Sequence, residues 1–287
     1  MASNAPWWTK IGAKLVLSRL PVPYGVWSRL GIFRHGDMAD PTRAINAFRA
    51  HFDRASQVRA LPSEFTMLEL GPGDSILSAA AARACGAQTS WLVDNGDFAQ
   101  RDPALFYALD EALPGAGLRQ LDLPAEADFD TLLAHVGARY LTDGNRSLSQ
   151  IPSASVDLIW SSVVLEHVLR DEFADMAREL ARILKPQGVM SHAVDLRDHL
   201  GGSLNNLRFA HELWESPGWR RAGFYTNRMS QAEIIAAFKQ AGFQVVGVTD
   251  DLWPTPPLDR AKMHPMFRGR TDEELRVAGF DITLVLI

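Results

Sequence analysis

Residues 65–75 read FTMLELGPGDS, a short apolar run that ends in a turn containing two glycines. The run has the length of a strand, and the alanine-rich segment 76–85 that follows it predicts a helix. Gly86 comes directly after that segment, where glycine commonly ends a helix. Because glycine has no Cβ, Gly71 and Gly73 let a ligand approach the backbone of the turn closely. The stretch therefore predicts a strand, a ligand-accessible turn and a helix in succession.

The rest of the chain alternates short apolar runs with helical patterns, which is typical of an α/β fold with a parallel sheet. The predicted strands are residues 65–70, 90–93, 138–141, 156–160, 189–194, 243–248 and 282–287. The predicted helices are residues 76–85, 98–112, 129–136, 171–184 and 231–241. Two stretches with little periodicity, 197–229 and 250–278, interrupt the pattern. We interpret them as insertions, the first of which forms a cap.

The composition limits the possible function classes. The 287 residues are 47% hydrophobic and 22% charged, which excludes disordered and coiled-coil proteins. A net charge of −5 argues against a nucleic-acid-binding surface. The single cysteine, Cys85, excludes an internal disulfide framework and a thiolate zinc cluster. No charge-free run approaches the about 20 residues of a membrane span.

The N-terminal segment is basic. Residues 1–35 contain lysines, arginines and three tryptophans but no acidic residue. Lys10, Lys14 and Arg19 interrupt every apolar run that a secretory signal would need, so we expect a cytoplasmic protein. Residues 1–60 are predicted to be a helical extension and residues 61–287 the main domain. An amphipathic helix in the first 35 residues would either contact the inner face of an anionic membrane peripherally or pack on the core.

The glycine turn excludes two kinds of nucleotide site. A dinucleotide-binding turn needs a third glycine at position 76, where this chain has Ile76. A kinase-type phosphate loop needs Gly-Lys-Ser/Thr, which is absent from the turn. Asp94 ends the second predicted strand, where a carboxylate can accept hydrogen bonds from a ribose diol.

With Glu69 before it, the turn closely resembles the acidic-x-Gly-x-Gly turn of class I S-adenosylmethionine-dependent methyltransferases of the type-11 kind. The stretch 155–168, SVDLIWSSVVLEHV, is similar to the fourth-strand region of that family, and 184–188, LKPQG, to its LKPGG turn with Gln187 in place of a glycine. A looser similarity links 195–199 and the cap to bacterial methyltransferases of glycan biosynthesis. The family resemblance covers roughly residues 60–195 and the last two strands.

The resemblance implies a Rossmann-like three-layer sandwich. Its seven-stranded sheet would be mostly parallel, with the last strand antiparallel. It also implies S-adenosylmethionine as the cofactor. The residues expected to bind that cofactor are Glu69, Gly71, Gly73, Asp94, Asp143 and Ser161. Two alternatives stay open, because Asp94 can cap the next helix and Asp143 can be a turn residue, with Asn145 or Arg146 contacting adenine instead.

Candidate catalytic groups follow the fourth and fifth strands, where the acceptor pocket must open. Methyl transfer to a hydroxyl needs a base within hydrogen-bond reach of the proton. His199 is the first candidate, with Asp195 or Asp198 orienting its ring, and His167 is the second. No metal is predicted, because Asp195, Asp198 and His199 lack a regular ligand spacing.

The cap predicted at 197–229 would cover that pocket. Amide, guanidinium and aromatic groups there suit a polyhydroxylated or anionic acceptor. The predicted acceptor-binding residues are Asn206, Arg208, Trp214, Tyr225, Asn227 and Arg228. The leading hypothesis is an O-methyltransferase for a small molecule or glycan. The alternatives are an N- or carboxyl-methyltransferase and a non-catalytic cofactor-binding protein of the same fold. Oligomeric state is not predicted.

Overall fold

The computed structural model describes residues 6–9, 11–12 and 39–287. The strands are β1 (Phe65–Leu70), β2 (Ala87–Val93), β3 (Ala138–Leu141), β4 (Val156–Ser162), β5 (Leu184–Asp195), β6 (Phe243–Leu252) and β7 (Val277–Leu286). The longer helices are α1 (Pro41–Val58), α2 (Leu77–Ala84), α3 (Pro103–Ala112), α4 (Phe129–His135), α5 (Phe173–Ile183) and α8 (Gln231–Gln240). The short helices are α6 (His211–Trp214), α7 (Pro217–Arg220) and α9 (Asp272–Arg276).

Within the described residues, the strands form one seven-stranded sheet with the order β3-β2-β1-β4-β5-β7-β6. The strands β1 to β5 run parallel to one another. The last strand, β7, lies between β5 and β6 and is antiparallel to both. The predicted Rossmann-like sheet with an antiparallel last strand is therefore confirmed. This order places the strand-order reversal between β1 and β4, where open α/β sheets bind ligands at their carboxyl edge.

Helices cover both faces of the sheet. Successive residues of β4 point to opposite faces, so Leu158 and Trp160 pack with α1 to α4 while Ile159 packs with α5 and α8. On the first face, α1 packs on the sheet through Phe48, whose ring lies 6.0 Å from that of Trp160. The sequence division at residue 60 assigned α1 to the N-terminal extension, but its buried face makes it part of the three-layer core.

Several element boundaries differ from the sequence prediction. The helix predicted over 98–112 begins at Pro103, because Asp102 caps it by accepting a hydrogen bond from the Ala104 N–H at 3.0 Å. The strand predicted over 189–194 begins at Leu184, immediately after α5, so 185–188 lie within β5 rather than in a separate turn. The ribbon of β6 and β7 is also longer than predicted, since these strands reach Leu252 and start at Val277.

The cap has small apolar cores of its own. Trp214, Phe224 and Tyr225 form one with Ile11, which is buried against them. Trp7 also packs there, edge-on against Phe209, with 5.9 Å between ring centroids. The described part of the N-terminal segment thus lies on the cap, and most of the segment considered for membrane contact falls outside the described residues. None of the described helices has the length and apolar character of a membrane span.

Candidate active site

The glycine turn closes the carboxyl end of β1. Gly71 and Gly73 both have positive φ, +66° and +70°, which glycine adopts without the penalty of a side chain. The Gly71 N–H donates to the Val93 carbonyl at 2.8 Å, and the Gly73 N–H donates to Asp94 Oδ2 at 2.9 Å. The turn is therefore held against the end of β2, and Asp94 lies directly beside it.

Gly71 is also required by a packing contact. A Cβ at this position would lie 2.5 Å from Cγ2 of Val164, a distance at which atoms overlap. The half-buried Val164 follows β4, the strand that pairs with β1 on the other side. This contact within the protein explains why position 71 is a glycine. Close approach of a ligand to Gly71 stays a prediction.

Asp94 lies at the tip of β2, as predicted, and is 9% exposed. Its second oxygen accepts a hydrogen bond from the Asn95 N–H at 2.7 Å. Burial raises the pKa of this carboxyl above its usual value, an effect that the two backbone N–H groups oppose. Asp94 does not cap a helix, because the next helix begins at Pro103 and is capped by Asp102. A carboxylate that uses one lone pair per oxygen here retains acceptor capacity for a diol.

Glu69 is buried beneath the turn. Its carboxylate accepts a short hydrogen bond from the Ser78 hydroxyl of α2. Burial raises the pKa of Glu69 to about 8, and the nearby charge of Asp94 adds to this shift. The carboxyl therefore ties the end of β1 to the following helix and positions the turn from below.

The two other predicted cofactor residues differ in their surroundings. Asp143 is exposed at the end of β3, and the neighbouring Gly144 N–H donates to the Asp94 carbonyl at 2.8 Å. The tips of β2 and β3 are thus joined beside the glycine turn. Ser161 is fully buried in β4, and its hydroxyl is hydrogen-bonded to Nδ1 of His192 at 2.7 Å. The Ser161 side chain is thus engaged within the protein.

The two predicted bases meet. His167 and His199 stack with 4.7 Å between ring centroids, and their Nε2 atoms are 3.0 Å apart. Nδ1 of His167 is 2.9 Å from the Tyr225 carbonyl, so it must carry the proton that it donates there. Nε2 of a neutral His167 is then an acceptor, and His199 donates to it. The structure therefore combines two separate candidates into one pair at the ends of β4 and β5.

A third group, which the sequence reasoning missed, faces this pair. Glu166 is 1% exposed, and among the residues that the structure describes neither of its buried carboxyl oxygens has a well-formed hydrogen bond. Burial raises the pKa of Glu166 to about 8; the backbone amides of Glu166 and Asp195 oppose the shift, and the charge of Asp195 adds to it. The signal was its place beside His167 in the Leu165–Val168 stretch, which we used only as a mark of the family.

The two predicted aspartates form hydrogen bonds within their own segment of the chain, and a role of either in orienting His199 stays a prediction. Both oxygens of Asp198 are bound within its own loop, by the backbone N–H groups of Leu200, Gly201 and Asn205 at 2.6–2.9 Å. Asp195 instead accepts hydrogen bonds from the backbone and the guanidinium of Arg197, at 2.9 and 3.1 Å. Asp198 thus folds the loop that carries His199.

A cavity of about 290 Å³ opens at the carboxyl edge of β5 and β6. Its lining includes four aspartates and one arginine, namely Asp195, Asp250, Asp251, Asp281 and Arg197. Val163 also lines it, 44% exposed and at a φ of +58°, which is strained for a β-branched residue. Because Val163 lies three residues before Glu166, the cavity and the imidazole pair belong to the same edge of the sheet.

Most predicted acceptor-binding residues are structural in the cap. Trp214 is fully buried and donates to the Thr226 carbonyl at 2.7 Å, and the buried Tyr225 donates to Glu215 at 2.9 Å. The amide of Asn227 donates to two carbonyls, those of Leu165 and Val168. Sequence reasoning placed these groups over a pocket, whereas their polar atoms hold the cap together and join it to the turn after β4.

Two of the remaining predicted residues, Asn206 and Arg228, line a second, much smaller space. Arg228 is buried, and its guanidinium donates to the Phe209 carbonyl at 2.9 Å. Among the described residues Nε and Nη2 have no hydrogen-bond partner, although Nη2 lies 3.8 Å from Glu215 Oε1. Burial lowers its pKa to about 10, so it stays charged at neutral pH. Asn206 donates to Thr226, and Arg208 donates to Asn205. The cavity beside Arg228 and Asn206 is about 20 Å³, room for about one water rather than for a sugar ring.

The chain was compared with known proteins. A family model described as "Methyltransferase domain" matches residues 38–248. A protein of Mycolicibacterium smegmatis, described as a probable S-adenosylmethionine-dependent methyltransferase, is 33% identical over 125 residues, which are 41% of this chain and 42% of that protein. The alignment thus spans less than half of this relative's length.

Among solved structures, the S-adenosylmethionine-dependent methyltransferase of Mesorhizobium loti is similar with a TM-score of 0.44 and 16% identity, over 83% of this chain and 95% of the other. The geranyl diphosphate C-methyltransferase of Streptomyces coelicolor gives a TM-score of 0.47 and 12% identity, over 84% of this chain and 80% of the other.

The family match covers most of the chain and includes β1 to β5, with the glycine turn, Asp94 and the imidazole pair. The buried carboxylate beside a positive-φ turn fits a bound adenosyl group, because it offers acceptors to the ribose hydroxyls. On this evidence, the chain belongs to the methyltransferase-domain family of S-adenosylmethionine-dependent methyltransferases.

Proposed function

We propose that the protein transfers the methyl group of S-adenosylmethionine to a hydroxyl of a small molecule or glycan. The observation that supports this proposal is the His167–His199 pair, placed at the sheet edge that carries the 290 Å³ cavity. The cofactor supplies a sulfonium that is already a good leaving group. The protein must then align the acceptor and take its proton.

The glycine turn and Asp94 hold the cofactor side of the site. Asp94 would accept hydrogen bonds from the ribose hydroxyls, while Glu69 and Ser78 keep the turn in place from below. The exposed Asp143 lies next to Asp94 at the tip of β3, where it would accept from the adenine amino group. These residues would hold the adenosyl group at the edge of β1 and β2.

The imidazole pair acts on the acceptor side. His167 is held by the Tyr225 carbonyl, and His199 is carried by the loop that Asp198 folds. An imidazole in reach of the acceptor hydroxyl removes its proton as the oxygen attacks the methyl group. Such a base typically contributes about 10²–10⁴-fold in rate.

The charge of the cavity favours some acceptors over others. Four carboxylates line it; Arg197 is paired with Asp195 and Asp251, and Asp281 is paired with Arg54 at 2.6 Å, so two arginines face four carboxylates. A carboxylate acceptor would be repelled by this lining, so carboxyl methylation is disfavoured. A neutral polyol suits it, because carboxylate oxygens accept hydrogen bonds from hydroxyls. An amine is the second candidate acceptor, since its cationic form is attracted to the same carboxylates.

A labelled-methyl assay tests the proposal. The protein is incubated with methyl-labelled S-adenosylmethionine and matched sets of sugars, amines and carboxylic acids, and transfer is followed by mass spectrometry. We expect label in hydroxyl-bearing acceptors. Label found in the carboxylic acids alone would overturn the assignment, and label in amines alone would favour the second candidate.

The His199→Ala variant tests the base. We expect it to lower turnover by about 10²-fold or more while leaving the affinity for S-adenosylhomocysteine unchanged. His211→Ala is the matched control, because His211 is exposed on α6 in the cap. Full activity of His199→Ala would exclude His199 as the base.

A further inference from the structure

Three side chains converge after β4 and β5: Glu166, His167 and His199. Each offers one ligand atom, and these atoms all lie within 4.8 Å of one another. We propose that they form a binding site for one divalent metal ion that prefers imidazole ligands, with zinc as the best match. Sequence spacing did not indicate this site, because the third ligand is separated from the other two by the whole of α5 and β5.

The tautomer of His167 suits a ligand. Its Nδ1 donates to the Tyr225 carbonyl at 2.9 Å, so the lone pair of Nε2 faces Glu166 and His199. Histidines that bind metals commonly donate their other ring N–H to a carbonyl or carboxylate, which fixes the ring and makes the ligand more basic. That supporting contact is already in place here.

The buried carboxyl group of Glu166 is suited to binding a cation. Within the described part of the chain, both of its oxygens are buried without a well-formed hydrogen bond, in a side chain that is 1% exposed. A buried acidic group ionises only at a cost unless it has a partner, such as an opposite charge or a metal ion. A divalent cation beside Nε2 of His167, which lies 4.0 Å from Glu166 Oε1, would supply that partner.

The distances require only a small adjustment. In a tetrahedral zinc site with bonds of about 2.0–2.1 Å, neighbouring ligand atoms lie about 3.3 Å apart. The two Nε2 atoms are 3.0 Å apart, and Glu166 Oε1 lies 4.0 Å from that of His167. Binding would replace the hydrogen bond between the imidazoles with two bonds to the ion and draw the carboxylate inward.

Asn227 holds the first two ligands in position. Its side-chain amide donates to the carbonyls of Leu165 and Val168, and its backbone N–H donates to the Glu166 carbonyl at 2.7 Å. The residues on both sides of the ligand pair are thereby fixed from the cap. Such support for a ligand shell is what a precise metal site requires.

The ligand set defines the class of ion. Two imidazoles and one carboxylate suit zinc or another first-row transition metal, whereas magnesium prefers oxygen ligands and water. Three protein ligands also leave a coordination position open, as in catalytic zinc sites. An ion with an open position would bind the acceptor hydroxyl and lower its pKa. In the metal-loaded protein this would replace proton removal by the imidazole pair, because an imidazole bound to a metal has no lone pair left to accept a proton. This last role rests on the proposed function, whereas binding of the ion does not.

Metal titration of the chelator-stripped full chain tests the site, with no acceptor or cofactor present. Calorimetry with ZnCl₂ is expected to show one equivalent bound, and Co²⁺ is expected to give the visible absorption of a low-coordinate site. His199→Ala and Glu166→Gln should each weaken Zn²⁺ binding beyond the about 10–100-fold that loss of a supporting contact costs. His211→Ala should bind like the wild type.

The result that would overturn the proposal is a wild type that binds Zn²⁺ no more tightly than His199→Ala. Circular dichroism and melting temperature of the apo variants separate loss of binding from loss of fold; His199 is only half-buried, so this variant is expected to fold. Added Zn²⁺ should raise the melting temperature of the wild type and of His211→Ala only. Because none of these measurements requires methyl transfer, they test the metal site independently of the proposed function.

Discussion

Replacing Gly71 by alanine tests whether the glycine turn works as the structure describes. Two costs are expected. The first comes from φ of +66°, which a residue with a Cβ adopts at a cost of about 1–3 kcal/mol. The second comes from the overlap of the new Cβ with Val164, whose Cγ2 and Cγ1 would lie 2.5 and 2.9 Å away. Overpacking of this kind typically costs about 1–3 kcal/mol.

The two costs can be measured separately with a matched glycine. Gly117 has a similar φ, +73°, but a Cβ there would meet no atom within 4 Å. Gly117→Ala should therefore report the backbone cost alone. We expect urea unfolding to show that Gly71→Ala loses about 2–6 kcal/mol of unfolding free energy, more than Gly117→Ala does.

Val164→Ala provides the second comparison. In the Gly71→Ala background it should recover the part of the loss that comes from overlap, which gives a favourable coupling energy of about 1 kcal/mol or more. If Gly71→Ala were no less stable than Gly117→Ala, the inferred contact with Val164 would be refuted. Calorimetry with S-adenosylhomocysteine should also show at least about tenfold weaker binding, equal to a loss of about 1.4 kcal/mol. Wild-type affinity would remove the turn from the cofactor site.

Three further outcomes follow from buried carboxylates and imidazoles. Asp94→Asn should weaken S-adenosylhomocysteine binding by about 1–3 kcal/mol in calorimetry, because one acceptor becomes a donor; unchanged affinity would limit Asp94 to holding the turn. Burial lowers the pKa of His51 and of His192 to about 3. The contribution of the two imidazoles to stability is therefore present above pH 6.5 and is lost as the pH falls toward 3. Urea unfolding from pH 7 to pH 4 should show this loss, and an unfolding free energy that does not change with pH would contradict it. Burial raises the pKa of Glu69 to about 8, so its contribution to stability is present below pH 4.5 and is lost as the pH rises through 8. Glu69→Gln should therefore flatten the decline in unfolding free energy between pH 6 and pH 9. An identical decline in the wild type and the variant would show that Glu69 is not its source.

The fold was largely predictable because its signals are local. Local sequence patterns mark the apolar run before Gly71, the alanine-rich α2 and the amphipathic α5. Because the elements are marked by patterns of this kind, all seven strands were expected near their observed places. Boundaries were less predictable where tertiary contacts set them. Nothing local shows that β7 begins at Val277, since that end of the strand is determined by pairing with β5 and β6.

The candidate site was predictable only in part, and the reason differs between its two sides. Asp94 could be placed because a strand end is visible in the sequence. The roles of the cap residues could not be predicted, because tryptophan, asparagine and arginine occur both in ligand pockets and in polar cores. Trp214 and Asn227 turned out to hold the cap itself. Glu166 was missed because its burial results from tertiary packing, which the local sequence does not show.

The hydrogen bond from Gly73 to Asp94 bears on how a ligand would bind. Because the carboxylate fixes the loop through this bond, a ligand that binds there would meet a loop that the protein itself already orders, and less ordering entropy would be lost on association. Such a preorganised groove should capture its ligand at a rate limited by encounter rather than by rearrangement, and amide exchange at Gly73 should already be slow before any nucleoside is added.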